Sequence, residues 1–460
     1  MDFLQTIFYF IVTIFALVSI HEFGHFIAGR IFGMHVPVYS IGMGRRLFGF
    51  NKLNGFTFGP LTDDLEAQLG ANTDYRLSLL PIGGYARIAG MIDETQMEEM
   101  SSTPQPWEFR SKSWWKKAIV LSAGVILNFL LAGVIFIGIK YSEGKVFWNT
   151  TTIGYVADHS ASAKLGVLPG DKVIALDGKP ITNWQELQNE AILEHMGGDF
   201  SMTLERAGQK FDVKYKSSDI STESSQIDKS FGLYPEGVGG AFITEVTSSY
   251  PADHAHLKSG DRVTKINGTP VLNEVAMIDL MKPHANEQIT LEWVRDGNPM
   301  STAITPNAAG QIGVQIQAAP FNGKITRLNY GIGEAITAGI SDLFTVTKLY
   351  LKSMVLLVTG KVDASQSVGG PIKIAKYAKQ SAKGGAVSYF SFMAMLSISL
   401  AFLNILPIPA LDGGHLVIVF LEAILRRELS QKFKMGFQRV GVTFLLLLMA
   451  FMVFNDIRGL

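Results

Sequence analysis

The stretch "FALVSIHEFGHFIAGRIF" (residues 15–32) places two histidines and a glutamate, His21, Glu22 and His25, inside an otherwise apolar run. An ionisable side chain is costly within a membrane span, so such residues usually mark a functional site and have identifiable partners. The stretch therefore predicts a membrane-spanning helix that carries part of a polar site. The other members of that site must come from elsewhere in the chain.

The composition of the 460-residue chain indicates a membrane protein and gives no sign of a nucleic-acid-binding one. Hydrophobic residues make up 47% of the chain, and 40 basic side chains balance 40 acidic ones. The lack of cysteine excludes disulfides and thiolate metal sites. The first apolar run has no basic start and is too long for a cleavable signal peptide, so we expect it to remain in the mature protein. Four stretches are long and apolar enough to span a bilayer: residues 3–32, 118–139, 390–406 and 437–454.

Basic residues near the ends of these spans predict the orientation of the chain, because loops rich in lysine and arginine stay in the cytoplasm. The loop after the first span carries Arg30, Arg45, Arg46, Lys52, Arg110, Lys112, Lys116 and Lys117. The loop after the third span carries Arg426, Arg427, Lys432, Lys434 and Arg439. Both loops are therefore expected in the cytoplasm. Both termini and residues 141–389 are expected on the outer side.

The outer segment contains an internal repeat. The sequences "GVLPGDKVIALDGKPI" (166–181) and "HLKSGDRVTKINGTPV" (256–271) match at a shift of 90 residues. Each has a Gly-Asp turn, a Val/Ile-rich strand and an Asp-Gly or Asn-Gly hairpin turn. Two such copies resemble tandem PDZ domains, a fold that typically binds an extended peptide at a sheet edge. The alternative is a pair of structural spacers without a ligand.

The spacing of His21 and His25 predicts a metal site. Residues at positions i and i+4 share one face of a helix, so both rings can bind one cation while Glu22 faces a water molecule bound there. Zinc in such a site lowers the pKa of its water to about 7, and a nearby carboxylate can take the proton. Nitrogen and oxygen ligands also accept other divalent ions, and availability favours zinc.

A catalytic zinc needs a third protein ligand at the same depth. A helix from Asp2 places His21 about 28 Å from the outer end of the first span. The third span runs inward and ends with "NILPIPALDGGH" (404–415), where two prolines break the helix and Asp412 follows the break. Gly413 and Gly414 allow the backbone to bend sharply there. We therefore expect Asp412 to be the third ligand.

The HEFGH sequence (21–25), combined with the pattern NxxPxPxLDGG (404–414), resembles the signature of the site-2 protease family of intramembrane metalloproteases. Two further stretches are similar to the second span of that family, "FRSKSWWKKAIVLSAGVILNFLLA" (109–132), and to its membrane-re-entrant hairpin, "LPIGGYARIAG" (80–90). The sequence differs from the family pattern at Val125, where the family usually has proline after Ala-Gly. Without that proline, there is no reason to expect a helix kink at Gly124.

The resemblance implies a polytopic α-helical membrane protein with four transmembrane helices, a membrane-re-entrant β-hairpin and two tandem PDZ-like α+β domains. The implied organisation is a first span (1–33), a cytoplasmic and re-entrant β region (34–115), a second span (116–140), PDZ-like domains (141–228 and 229–322), interfacial amphipathic helices (323–388), a third span with the LDG motif (389–427) and a fourth span (428–460).

The resemblance also implies an activity: a zinc endopeptidase of the bacterial inner membrane that acts in regulated intramembrane proteolysis. Its substrates would be single-pass membrane proteins cut near the cytoplasmic ends of their spans, such as an anti-sigma factor already trimmed by a site-1 protease, or remnant signal peptides. In this interpretation Glu22 activates the water, and His21, His25 and Asp412 hold the metal.

A helical substrate must be unwound before water can attack its carbonyls. Residues 75–89 are interpreted as two short strands around Pro81 to Gly84, whose edge, with Gly83, Gly84 and Tyr85, could pair with an unwound substrate segment. The alternative is a hairpin that packs beneath the helices. The side chain of Asn404 could hydrogen-bond the substrate backbone, as the resemblance implies, or could instead cap the end of its helix.

Three further features have alternative interpretations. Residues 330–359 carry four charges and predict an amphipathic helix at the membrane surface, which either helps to hold the substrate or braces the PDZ-like pair. Asn128 could also hydrogen-bond the substrate backbone, but an interhelical contact is the favoured interpretation. His415 is interpreted as a residue that supports the metal ligands or caps a helix.

Two other functions compete with an intramembrane protease. A membrane-anchored metallopeptidase with a cytoplasmic catalytic domain would need a third ligand in the loop 33–115, which offers only His35 and a few scattered carboxylates. A non-catalytic PDZ scaffold or receptor with a structural metal would not need Glu22, because a structural site requires no general base.

Overall fold

The computed structural model describes residues 2–62, 72–91, 104–158, 160–191, 198–216, 231–237, 239–318, 325–359 and 369–458. The chain folds into two compact units. The first comprises Met1–Glu143, Tyr330–Val355 and Asp363–Leu460, and the second comprises Gly144–Asn329 and Leu356–Val362.

Long helices dominate the first unit. In chain order they are α1 (Asp2–Ile31), α2 (Trp114–Glu143), α3 (Ile332–Val358), α4 (Pro371–Lys383), α5 (Ala386–Ile405), α6 (Asp412–Leu425) and α7 (Gln431–Arg458). Four of them, α1, α2, α5 and α7, are long and apolar enough to cross a membrane, which confirms the four predicted spans. Helices α2 and α7 begin before the predicted apolar stretches because each helix continues through its polar flank.

Helices α3 and α6 do not belong to this set. Helix α6 is about 21 Å long, shorter than the hydrocarbon core of about 30 Å that a span must cross. Helix α3 packs against the last turns of α2, where Lys140 Nζ lies 2.7 Å from Asp342 Oδ2. A side chain at Gly339 would overlap Ile137, so the two helices approach closely there. Among the described helices, α3 is not apolar enough to count as a fifth span.

A small sheet follows α1. Its strands are β1 (Val38–Asn51), β2 (Gly55–Phe58) and β3 (Asp74–Arg87), in the order β2-β1-β3. The pairing divides β3 into two segments, as the two short predicted strands require. Residues 38–41 pair with residues 84–87 and also with residues 74–77, so the start of β1 lies between the two segments of β3. The segment 84–87 therefore has only one partner strand among the described residues.

A buried ion pair fixes this arrangement. Arg46 Nε lies 3.0 Å from Asp74 Oδ2, and both side chains are almost fully buried. Arg46 also donates to the carbonyl oxygens of Thr57 and Gly59. Arg46 therefore ties β1 to the start of β3 and to β2, and it is not the exposed base that the charge count of this loop assumes.

The core beneath the two membrane helices α1 and α2 joins four elements. Apolar side chains from the end of α1, the segments before and after the sheet, α2 and α6 form one cluster: Phe26, Ala28, Met34, Val36, Ile88, Phe109, Val120, Leu121, Ala123, Leu416 and Val419. This cluster holds the polar part of α1 against the start of α6.

The second unit confirms the repeat. Helices Ala161–Lys164 and Pro251–His254, and strands Lys172–Leu176 and Arg262–Ile266, are related by the same shift of 90 residues. The helices starting at Trp184 and Glu274 continue this correspondence. Asp177 and Asn267 adopt the positive φ angles that the predicted Asp-Gly and Asn-Gly turns require. Each copy is an α+β unit of the same element order.

The predicted boundaries after residues 228 and 322 lie outside the described residues. The strand Leu233–Pro235, which the prediction places in the second domain, nevertheless pairs with Ile153–Val156 of the first copy. In the second copy the corresponding strand Val314–Ala318 pairs with Ala241–Val246. The predicted domain boundary was wrong for this strand. In each copy the last strand of the fold follows the final hairpin, and the number of residues between them differs between the two copies.

Candidate metal centre

Two histidines lie one helical turn apart on the buried side of α1. The Nε2 atoms of His21 and His25 are 3.2 Å apart, and both side chains are buried. The predicted i, i+4 spacing therefore brings both ring nitrogens to one point, where a cation could bind.

Asp412 joins them from the other end of the chain. Its Oδ2 lies 3.0 Å from His21 Nε2 and 3.3 Å from His25 Nε2. This buried oxygen has no hydrogen-bond partner among the described residues, so the contact leaves it unsatisfied. Ligands held at about 2.0–2.1 Å in a tetrahedron are separated by about 3.3 Å, close to the observed distances. The three residues therefore fit one tetrahedral cation with a fourth position left open.

The loop before α6 positions Asp412. Ala410 has a φ of 71°, and Asp412 is the first residue of α6. From the sequence we expected the sharp bend at Gly413 and Gly414. The structure places it at Ala410 instead. Those two glycines are required for space, because side chains there would overlap the carbonyl oxygens of Leu406 and Ile408.

Each histidine is oriented through its second ring nitrogen. His25 Nδ1 lies 2.8 Å from the carbonyl oxygen of Val120, which can only accept, so Nδ1 carries the proton and Nε2 is free for a metal. His21 Nδ1 lies 3.3 Å from the side-chain amide of Asn128. Such contacts fix the ring orientation and raise the affinity of a site for its metal.

Asn128 is fully buried, and its Oδ1 has no partner among the described residues while Nδ2 faces His21. A 180° flip of the side-chain amide would let Oδ1 accept a hydrogen bond from His21 Nδ1, so that the oxygen would no longer be unsatisfied. Asn128 makes the predicted interhelical contacts: its side chain faces His21 of α1, and its backbone carbonyl oxygen accepts a hydrogen bond from Ser397 of α5. The sequence interpretation did not predict the contact between this side chain and His21.

Two glycines bring α1 and α2 together at this site. A Cβ atom on Gly124 would lie 2.6 Å from both His21 Cε1 and His25 Nε2. A side chain on Gly24 would overlap the carbonyl oxygen of Ala123. The close approach of the helices therefore needs glycine at both positions, and α2 continues as a helix through Val125.

Glu22 faces residues 84–87, the segment of β3 that pairs with β1 alone among the described strands. Its Oε2 accepts a hydrogen bond of 3.0 Å from the backbone N–H of Ala86. A Cβ atom on Gly84 would lie 3.6 Å from Glu22 Cγ, so this part of the strand runs along the glutamate. The carboxylate thus lies between the paired histidines on its helix and the edge of residues 84–87.

The other predicted site residues lie around these groups. Asn404, in the last turn of α5, places its side-chain nitrogen 3.4 Å from His21 Nε2. Gly83 has a φ of 82° and precedes the edge segment. Tyr85 accepts a hydrogen bond from Arg76, whose guanidinium also lies over its ring. His415 is not part of the three-residue cluster.

The chain matches known proteins over its whole length. The model of the family described as Peptidase family M50 matches residues 9–448. The regulator of sigma-E protease RseP of Escherichia coli (strain K12) is 30% identical over 481 residues, covering 100% of both chains. PM1991 of Pasteurella multocida (strain Pm70), whose name describes it provisionally as a zinc metalloprotease, is 31% identical and covers 99% of both.

Solved structures match part of the chain. The PDZ domain of the SdrC-like protein Lmo2051 from Listeria monocytogenes is 18% identical, with a TM-score of 0.16, and the match covers 17% of this chain and 86% of that one.

Proposed function

The chain belongs to peptidase family M50 and is a multi-pass zinc metalloprotease, and on that premise we propose that it cuts single-pass transmembrane proteins inside the membrane. The observation that carries this proposal is the convergence of His21, His25 and Asp412, with Glu22 next to His21 on a helix long enough to span the bilayer. A site at this place can reach only substrates that enter the membrane.

His21, His25 and Asp412 would hold the metal, and Glu22 is the general base. Zinc bound there would supply Lewis-acid chemistry to the hydrolysis. Glu22 takes the proton of the attacking water and passes it to the leaving amine. Asn128 and the Val120 carbonyl keep both imidazole rings turned so that each Nε2 faces Asp412 Oδ2.

The edge of residues 84–87 receives the substrate. An unwound segment added beside this strand would lie next to Glu22, because the Ala86 N–H at this edge already points at the carboxylate. Gly84 has no side chain to block that approach, and Asn404 offers an amide to the substrate backbone next to His21. The substrate is thereby held in an extended form with its carbonyls exposed.

The protein lies in the bacterial inner membrane, with both termini and the two repeats on the outer side. This orientation is supported by the basic residues in the loops after the first and third spans. The substrates are membrane proteins already shortened on the outer side, such as a trimmed anti-sigma factor, and remnant signal peptides. The name of the Escherichia coli relative, a regulator of sigma-E protease, supports a substrate linked to a sigma factor, and the resemblance to the site-2 protease family implies the trimmed anti-sigma factor and the signal peptides.

The PDZ-like repeats exclude substrates with bulky outer domains. They are compact and lie in the chain between the second and third spans, so a large outer domain would have to compete with them for space. The edge strands Leu233–Pro235 and Val314–Ala318 could also hold a peptide.

The test compares wild-type protein with Glu22→Gln in detergent, using a tagged single-span reporter and measuring bound zinc in both. We expect the variant to retain zinc and lose cleavage, because the amide cannot take a proton. Equal cleavage by the two proteins would refute the role of Glu22 and favour a non-catalytic scaffold with a structural metal. Loss of zinc from the variant would show that Glu22 supports the fold of the site.

A further inference from the structure

A cavity of about 220 Å³ lies where α2 begins and α6 ends, away from the metal ligands. Three basic side chains line it: Lys117, Arg426 and Arg427. Lys117 is only 8% exposed; its ammonium group lies 5.8 Å from the centre of the Phe109 ring, and its charge interacts with Glu422 and Glu428. Arginine and lysine side chains gathered around one cavity are suited to a negatively charged ligand.

Two acidic residues also line the cavity, but one of them is already paired. Glu422 lies 2.6 Å from Lys434 Nζ and accepts a hydrogen bond from the backbone N–H of Leu429. Arg426 and Arg427 have no ion-pair partner in the described part of the chain. Three cations and two carboxylates therefore line the cavity, and one of the carboxylates, Glu422, is shared with Lys434, so the cavity carries a net positive charge.

The surface beside the cavity is apolar and lies at the end of a membrane span. Trp114 is the first residue of α2 and is 51% exposed, and its ring contacts that of Phe420 on α6. Ile424, one turn further along α6, is 78% exposed. Tryptophan is enriched where the hydrocarbon core meets the headgroup region. The cavity thus combines a basic pocket with an adjoining apolar strip at the membrane boundary.

We propose that this cavity binds the headgroup phosphate of an anionic phospholipid, whose acyl chains lie along Trp114, Phe420 and Ile424. Arginine side chains hold phosphate oxygens through paired N–H donors, and basic pockets between membrane helices suit anionic headgroups. A soluble anion would make the same polar contacts but would leave the apolar strip uncovered. The bound lipid would also restrict the motion of the C-terminal end of α6, the helix that begins with Asp412.

The test measures lipid retained by the detergent-solubilised full-length protein after incubation with phosphatidylglycerol or phosphatidylcholine, using native mass spectrometry. We expect tight retention of phosphatidylglycerol and roughly 30-fold weaker binding in Arg426→Gln/Arg427→Gln, since each basic residue near an anionic lipid contributes about a factor of five. The matched control is Arg45→Gln/Lys432→Gln. It also removes two exposed basic side chains, but neither of them lines the cavity.

Three outcomes would overturn the proposal: equal retention of both lipids by the wild type, equal loss of binding in the two double variants, or competition by inorganic phosphate alone. The last result would identify a site for a soluble anion. Bound zinc, measured in every sample, reports whether each variant remains folded around the metal site.

Discussion

Asp412 Oδ2 lies 3.0 Å from His21 Nε2, although the two residues belong to helices near opposite ends of the chain. The first and last parts of the sequence must therefore fold together before a metal can bind. Metal binding then stabilises the folded state, because the unfolded chain has no preformed site.

Removing Asp412 should abolish zinc binding. Asp412→Ala deletes one of three ligands, and because changes in residues that merely support a ligand cost about 10- to 100-fold in affinity, we expect a loss of at least about 100-fold. Zinc competition with a chelator measures the affinity. Leu421→Ala, at an exposed position further along the same helix, is the control and should keep the wild-type value. Retained affinity in Asp412→Ala would move the third ligand elsewhere.

Asn128 should tune the metal site without touching the metal. Asn128→Ala leaves His21 Nδ1 without its buried partner, so zinc affinity should fall by about 10- to 100-fold. Ser397→Ala removes only the hydrogen bond to the Asn128 backbone and should leave the affinity unchanged. If both variants lose affinity equally, Asn128 acts through helix packing and not through His21.

Gly124 should tolerate no side chain. In Gly124→Ala the new methyl group would lie 2.6 Å from both histidine rings, and overpacking of this kind costs about 1–3 kcal/mol. We expect a lower zinc content and a lower thermal midpoint. Gly138→Ala is a matched control in the same helix, because a Cβ atom there meets nothing within 4 Å. Full zinc occupancy in Gly124→Ala would mean that α1 and α2 can separate without loss of the site.

The first repeat should lose stability in acid. Burial alone would raise the pKa of Asp171, but hydrogen bonds from Arg206 and from the Leu168 N–H hold it below its ordinary value of 3.8. A carboxyl group with a lowered pKa stabilises the fold fully above its unfolded pKa, and this contribution is lost as the pH falls through its folded pKa.

Hydrogen exchange of residues 198–216 in the full-length protein tests this expectation. Protection, corrected for the intrinsic effect of pH on exchange, should be constant from pH 7 to about pH 5 and fall below about pH 4. Asp171→Asn should lower protection already at neutral pH and flatten the acid dependence. A wild-type profile that stays level down to pH 3 would contradict the role of this carboxylate.

The sequence could predict those features of the site that depend on the spacing of residues along a helix or on their depth in the membrane. His21 and His25 share a helix face at any i, i+4 spacing, and Asp412 follows a proline break at the matching depth. The roles of Asn128 and Gly124 could not be predicted, because they depend on how α1 and α2 cross. The bend at Ala410 was also missed, because non-glycine residues rarely adopt positive φ. The strand Leu233–Pro235 was misassigned because pairing across a loop of variable length leaves no periodic signal.

Deleting the repeats should widen the range of substrates, a prediction that rests on the proposed function. Strands Lys145–Trp148 and Ile325–Leu328 pair with each other, so the chain enters and leaves the second unit side by side and residues 150–320 can be removed with a short linker. The shortened protein should bind zinc, cut a trimmed reporter as before and also cut an untrimmed one that the full-length protein refuses. Refusal of the untrimmed reporter by a zinc-loaded, active deletion variant would show that exclusion resides in the membrane helices.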